Sequence, residues 1–232
     1  MTSDDLFWNS QIGVGQSASL KKLTDDSRSI YPAFAPGDSI VLYQRLLLTD
    51  PADTSYFLPQ EMIRPYGINI QSGQLYTLSS KYEYPSDRAL KGPAEAPAGL
   101  ERVVWGIRSP DTNVMAYETL TGAANDVHTL YLAVGDSIAQ LSYGATSCFL
   151  DRFSNTGGYL TATYGTGPTW VLVFDLKQNR LYRIENDSEW VDYMTTFSSD
   201  DGMMVFLRSD RKYSLGDDFF GDIWLLKFNG SP

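Results

Sequence analysis

A single histidine and a single cysteine occur among the 232 residues, and this limits the chemistry before any fold is considered. A Cys/His zinc site needs several such ligands, so Cys148 and His128 cannot build one. Cys148 has no intrachain disulfide partner. It opens the apolar run Cys148 to Phe153 and is expected to be a buried, inert thiol. His128 begins a strand in Asp126-Val127-His128-Thr129. A lone imidazole can serve as a general base or pH sensor. No partner for it is identifiable along the chain, so a structural or exposed role is expected.

Gly37-Asp38-Ser39-Ile40 and Gly135-Asp136-Ser137-Ile138 echo the Gly-Asp-Ser-Leu block of serine esterases. That chemistry needs a histidine base oriented by an acid. Asn125 stands where the Asp-x-x-His spacing would need an acid, so both blocks read as hairpin turns. Asp217, Asp218 and Asp222 cluster near Gly216 and Gly221, and carboxylates are the ligands Ca²⁺ prefers. They lack the alternating spacing of a calcium loop and read as a solvated acidic loop, so no metal or other cofactor is expected. Glu118, Asp151, Asp175, Glu189 and Asp192 flank apolar segments. A convergent pair of such acids would cleave glycosidic bonds. Aromatic residues in long loops, among them Tyr56, Phe57, Tyr66, Tyr82, Tyr84, Phe219 and Phe220, are suited to stacking on sugars or anchoring a protein.

The composition bounds these options. Net charge is -10, which argues against binding a phosphate backbone. Hydrophobic residues make up 43% of the chain, enough for a core. No apolar run is long enough for a transmembrane helix, so membrane insertion is not expected. The acidic Met1-Thr2-Ser3-Asp4-Asp5 start lacks the basic and apolar regions of a signal peptide. A mature periplasmic or extracellular domain would begin the same way, so the compartment stays open.

The elements that must position these residues recur in order. Apolar first strands (Tyr31 to Phe34, Val103 to Ile107, Cys148 to Phe153, Val191 to Phe197) each lead into a Gly/Asn/Asp/Pro/Ser-rich turn. A second strand follows each turn: Ile40 to Tyr43, Val114 to Tyr117, Tyr159 to Tyr164, Met203 to Leu207. A third comes after a variable loop: Gly67 to Ile70, Thr129 to Leu132, Trp170 to Phe174, Asp222 to Leu226. The fourth strands are Gln74 to Leu78, Ser137 to Leu141 and Arg180 to Ile184; the last unit has none before Pro232. The N-terminal segments Asp5 to Trp8 and Ser19 to Thr24 look like a third and a fourth strand. Four antiparallel strands recurring every ~40 to 60 residues predict propeller blades. The expected fold is all-β, a single propeller-like domain over residues 1–232 with four to five blades visible. Leu20 to Thr24 is expected to pair with Ile223 to Phe228, which would cover an exposed edge.

Phe197-Ser198-Ser199-Asp200-Asp201-Gly202, Val205-Phe206-Leu207, Ser209-Asp210-Arg211 and Asp222-Ile223-Trp224-Leu225 together resemble the repeat of TolB-like propellers. Phe34-Ala35-Pro36-Gly37-Asp38 followed by Ser39 to Tyr43 is a second match, and the middle units keep the order but lose most of the signature. TolB-type propellers have six or more blades. The shorter count here fits a four-bladed ring, a five-bladed ring with a degenerate blade, or a fragment of a longer propeller. With no nucleophile–His pair, metal cluster or phosphate loop in the sequence, the expected role is a non-catalytic binding or scaffold module of this propeller type. Its ligand, a protein or glycan, would meet the loops Gln44 to Pro65, Lys81 to Glu101 and Arg208 to Gly221. The alternatives are a carbohydrate-active propeller enzyme and an accessory propeller of a larger peptidase or envelope protein.

Overall fold

The structure, a computed structural model, describes residues 18–47, 63–78, 97–110, 114–122, 126–142, 144–166, 168–184, 186, 190–209, 214–215 and 218–228. Its strands are β1 (Ala18–Lys22), β2 (Ser29–Phe34), β3 (Ile40–Leu46), β4 (Ile63–Asn69), β5 (Leu75–Thr77), β6 (Val103–Arg108), β7 (Val114–Thr121), β8 (Val127–Val134) and β9 (Ser137–Gln140). They continue with β10 (Cys148–Phe153), β11 (Tyr159–Tyr164), β12 (Trp170–Asp175), β13 (Arg180–Arg183), β14 (Val191–Phe197), β15 (Met203–Ser209), β16 (Ser214–Leu215), β17 (Asp218–Phe219) and β18 (Asp222–Phe228). No helix occurs among the described residues. Four four-stranded antiparallel sheets form, in the orders β2-β3-β4-β5, β6-β7-β8-β9, β10-β11-β12-β13 and β14-β15-β18-β1. These are the blades that the ordered recurrence of strand types predicts.

Local chemistry accounts for the repeat. In the turns after β2, β10 and β14, the backbone amides of Asp38, Gly157 and Asp201 donate to the carbonyls of Ala35, Ser154 and Ser198, at 3.0 Å each. All three residues have positive φ (55°, 70° and 58°). Gly, Asp and Asn tolerate that conformation at least cost. Every first-to-second strand pair also carries a register shift: at Ile30/Ala33, Val103/Trp105, Leu150/Arg152 and Tyr193/Thr196. Such bulges bend the first strand and increase its twist. The interior strands β12 and β15 are buried almost throughout, whereas the outermost strands β5, β9 and β13 are half exposed.

The chain divides into two compact units, one within Ser86–Glu185 and the other formed by Gln16–Pro85 and Asn186–Pro232. The first holds the β6–β9 and β10–β13 blades. Its core packs Ile107, Leu130 and Leu141 with Cys148, Leu150, Leu160 and Phe174. On the β6–β9 blade a smaller cluster joins Val103, Tyr117 and Ala133, with Leu100 and Tyr131 packed against it. The second unit holds the other two blades, with Ile30, Val41, Tyr43 and Ile68 packed against Val205, Leu207, Ile223 and Leu225.

β1 is the fourth strand of the β14–β15–β18 blade, with Leu20 opposite Leu226 and Lys22 opposite Trp224. The ladder ends where the Leu23 amide donates to the Ile223 carbonyl at 2.7 Å and the Thr24 hydroxyl accepts from the Ile223 amide at 2.9 Å. The expected pairing of Leu20 to Thr24 with this strand therefore holds. The third-strand assignment of Asp5 to Trp8 lies outside the described residues. Phe206 and Phe197 are buried (0% and 4% exposed) and Phe153 is 9% exposed, while Trp105 and Trp224 are half-buried. Within the segment expected to be a plain loop from Arg208 to Gly221, Ser214–Leu215 and Asp218–Phe219 instead pair as a short ribbon.

Candidate functional site

The carboxylates that sequence reasoning offers for chemistry are largely committed to internal contacts. Asp192, on β14, is fully buried. Its two oxygens accept hydrogen bonds from Nε and Nη2 of Arg208 on β15, both at 2.7 Å. The guanidinium carbon lies 4.9 Å from the Trp224 ring centroid and 5.4 Å from that of Phe206. Burial holds the Asp192 carboxyl above the ordinary carboxylate range, opposed by the Arg208 contact and by a hydrogen bond with Asn186. Asp175 accepts from the amides of Lys177 and Gln178 at 3.1 and 2.9 Å, so it shapes the β12–β13 turn. Asp151 is buried on β10.

Asp222, a weak metal candidate from sequence, caps a chain segment instead. Its Oδ1 accepts from the amides of Asp26 and Ser27, both at 2.9 Å, and its Oδ2 pairs with Lys22 Nζ at 2.9 Å. Asp26 in turn accepts from the Arg28 amide and pairs with Arg45. The network holds the connection from β1 into the first blade. Asp217 lies outside the described residues, and of Asp218 only its place in β17 is described. No group of three His, Cys, Asp or Glu side chains able to hold a metal occurs among the described residues.

His128 has a partner that sequence reading missed. Its Nδ1 lies 2.7 Å from Glu118 Oε1, and the ring lies 4.5 Å from that of Phe149. Glu118 is 2% exposed, and its Oε2 accepts from the Leu150 amide at 2.7 Å. One carboxylate thus ties β7 and β8 to β10. Burial, then the nearby Glu118 charge, push the Cys148 thiol well above its ordinary value, which suits an inert core thiol. The Glu118→Ala variant is expected to lose about 1–3 kcal/mol, the cost of stranding a buried amide. Glu118→Gln keeps an acceptor for Leu150 and a donor for the imidazole, so it is expected to lose less. Urea unfolding of the two variants checks this; equal losses would show that the hydrogen bonds are not what matters.

An open cleft of about 400 Å³ lies on the β6–β9 blade. Gly99, Leu100, Glu101 and Arg102 form one wall, at the entry to β6. Thr119, Leu120 and Thr121 of β7 and Tyr131 of β8 form the other. Strand alternation puts Thr119 and Thr121 on the face opposite Glu118. Their hydroxyls join a small ladder: Thr121 Oγ1 lies 2.6 Å from Thr129 Oγ1 and 3.3 Å from the Val127 carbonyl. Glu101 and Arg102 are exposed, and Arg102 sits at φ 54°. Neither charged group has a partner among the described residues.

The aromatic binding residues expected from sequence fare differently. Tyr56 and Phe57 lie outside the described residues, as do Tyr82 and Tyr84. Phe219 is described only as part of β17. Phe220 was expected to be exposed for binding, and the structure corrects this: it is 3% exposed and packs in the core of its unit. The chain turns inward after β17, and the neighbouring Gly221 bridges Ser29 and approaches the Arg208–Ser209 backbone too closely for a side chain. Tyr66 belongs to β4 and stacks on Tyr43 at 5.9 Å.

No family model matches the chain, and no curated protein matches it. Among solved structures it is similar to TolB from Acinetobacter baumannii, at 12% identity and a TM-score of 0.36, covering 86% of this chain and 44% of that one. It is also similar to the C-terminal WD40 domain of Sif2 (12%, TM-score 0.39, 86% and 45%). A third is an acylaminoacyl peptidase of Pyrococcus horikoshii (10%, TM-score 0.34, 78% and 36%). The chain resembles TolB-like propellers. It spans less than half the length of each of these three.

Proposed function

We propose that this chain is a non-catalytic binding module whose blades support a ligand site at the cleft where Gly99 to Arg102 lead into β6. The observation that carries this reading is a division of labour among polar residues. Asp192, Asp222, Asp175 and Glu118 are spent on internal ion pairs and backbone amides. Glu101 and Arg102, by contrast, stand exposed at an open cleft at the entry to β6, after the segment that the sequence reads as a long loop. Loops vary without disturbing blade packing, which is why recognition concentrates there. The ligand is a protein segment or a glycan.

The test screens the whole chain against a glycan array and a displayed-peptide library, beside a variant with residues 81–96 replaced by a Gly/Ser linker. Binders of the parent that the variant loses, at unchanged melting temperature, are the expected result. Hydrolysis of aryl glycosides abolished by Asp151→Asn or Asp192→Asn would replace this reading with the carbohydrate-active enzyme. Absence of any loop-dependent binder would reject it.

A further inference from the structure

We infer that the cleft on the β6–β9 blade is a subsite for a neutral saccharide, an inference that rests on the binding-module reading. Its size falls within the roughly 300–1,000 Å³ of small-ligand sites. Its lining combines what a sugar ring needs. Tyr131 is half-buried, with its ring packed against the Val103, Tyr117 and Ala133 cluster, so an aromatic group lines the cleft at small entropic cost. Beside it, the half-buried Thr121 supplies a hydroxyl, while Thr119 is 2% exposed and shapes the wall. The Thr121 hydroxyl has one proton to give and two lone pairs, and its contacts with the Val127 carbonyl and the Thr129 hydroxyl leave acceptor capacity for a sugar hydroxyl. At the rim, Glu101 offers acceptors only and Arg102 donors only. Together they serve the paired donor and acceptor character of vicinal hydroxyls.

Charge selects among ligands. Glu101 and Arg102 balance locally, and the chain as a whole carries -10. A uronate or sulfated chain would meet one cation against a repulsive background, and a basic peptide would meet Arg102. A neutral polyhydroxylated ligand meets neither obstacle.

The experiment titrates the full isotope-labelled chain with cellohexaose, maltohexaose and chitohexaose, with hexagalacturonate as the anionic comparison, and follows backbone amides by NMR. The expected result is a saturable shift at Gly99 to Arg102 and Thr119 to Thr121 with at least one neutral sugar, and a weaker response to the uronate. Arg102→Gly, at a positive φ that glycine accepts, and Thr121→Val are each expected to weaken binding about tenfold or more. Should Thr121→Val not fold, the parent's amide shifts and Arg102→Gly decide alone. Neutral sugars that leave these amides unmoved, that bind elsewhere, or that bind more weakly than the uronate overturn the inference. If sugars fail while loop-dependent peptide binders exist, the binding-module reading survives without this subsite. If both fail, both fall.

Discussion

A chain lacking its first 24 residues is expected to unfold at least roughly 8–16 °C below the parent. β1 supplies the outer ladder of β18 from Ala18 to Lys22, and the Leu23 amide and Thr24 hydroxyl close its end. Losing four or so such hydrogen bonds, at about 1 kcal/mol each, removes about 4 kcal/mol. In a chain of this size each kcal/mol corresponds to about 2–4 °C. The truncation also removes Lys22 from Asp222 and exposes the edge of β18, which would promote aggregation. Thermal melting followed by circular dichroism measures the effect, and faster hydrogen exchange at β18 amides locates it. A synthetic peptide of residues 15–26 added in trans should restore part of the loss. A truncated chain as stable as the parent would show that the closing strand contributes nothing.

Replacing Arg208 with Met should cost about 3–5 kcal/mol at neutral pH, because it leaves a buried carboxylate without its counter-charge. Asp192 has no exposed surface, and both its oxygens accept hydrogen bonds from the guanidinium. The pH dependence has a definite sign. Burial raises the folded-state pKa of Asp192 above its unfolded value, with Arg208 opposing. A group shifted in this direction contributes stability below its unfolded pKa, and that contribution is lost as pH rises through the folded pKa. Removing Arg208 takes away the opposing influence and raises the folded pKa further. The Arg208→Met deficit should therefore be larger at about pH 7.5 than at about pH 4.5, since the raised carboxyl is increasingly protonated as the pH falls. Urea unfolding at both values tests this. The double variant Asp192→Leu with Arg208→Met should recover most of the loss, since an apolar pair can replace a buried ion pair. A small, pH-independent loss in Arg208→Met would mean that the carboxylate is not isolated from water.

Blade architecture was legible because its signals are local. Ala35-Pro36-Gly37-Asp38 and Ser198-Ser199-Asp200-Asp201 specify a turn by their own backbone preferences, and the flanking apolar runs specify strands. The closing role of Leu20 to Thr24 was legible too, because the last unit lacked one strand of a repeated set. Roles of individual polar and aromatic residues were not, since these depend on register. Glu118 and His128 meet because β7 and β8 pair with Leu120 opposite His128, and the Leu150 amide arrives from another blade. Asp222 finds its backbone partners nearly two hundred residues away, at Asp26 and Ser27. Phe220 stands among acidic and glycine residues that read as an exposed loop, and it is buried because the chain after β17 turns into the core. Composition and turn chemistry by themselves determined that the chain makes four-stranded blades. Only tertiary packing decided which carboxylates were committed to internal partners, because burying a charge forces it onto whatever partner the packed sheets bring within reach.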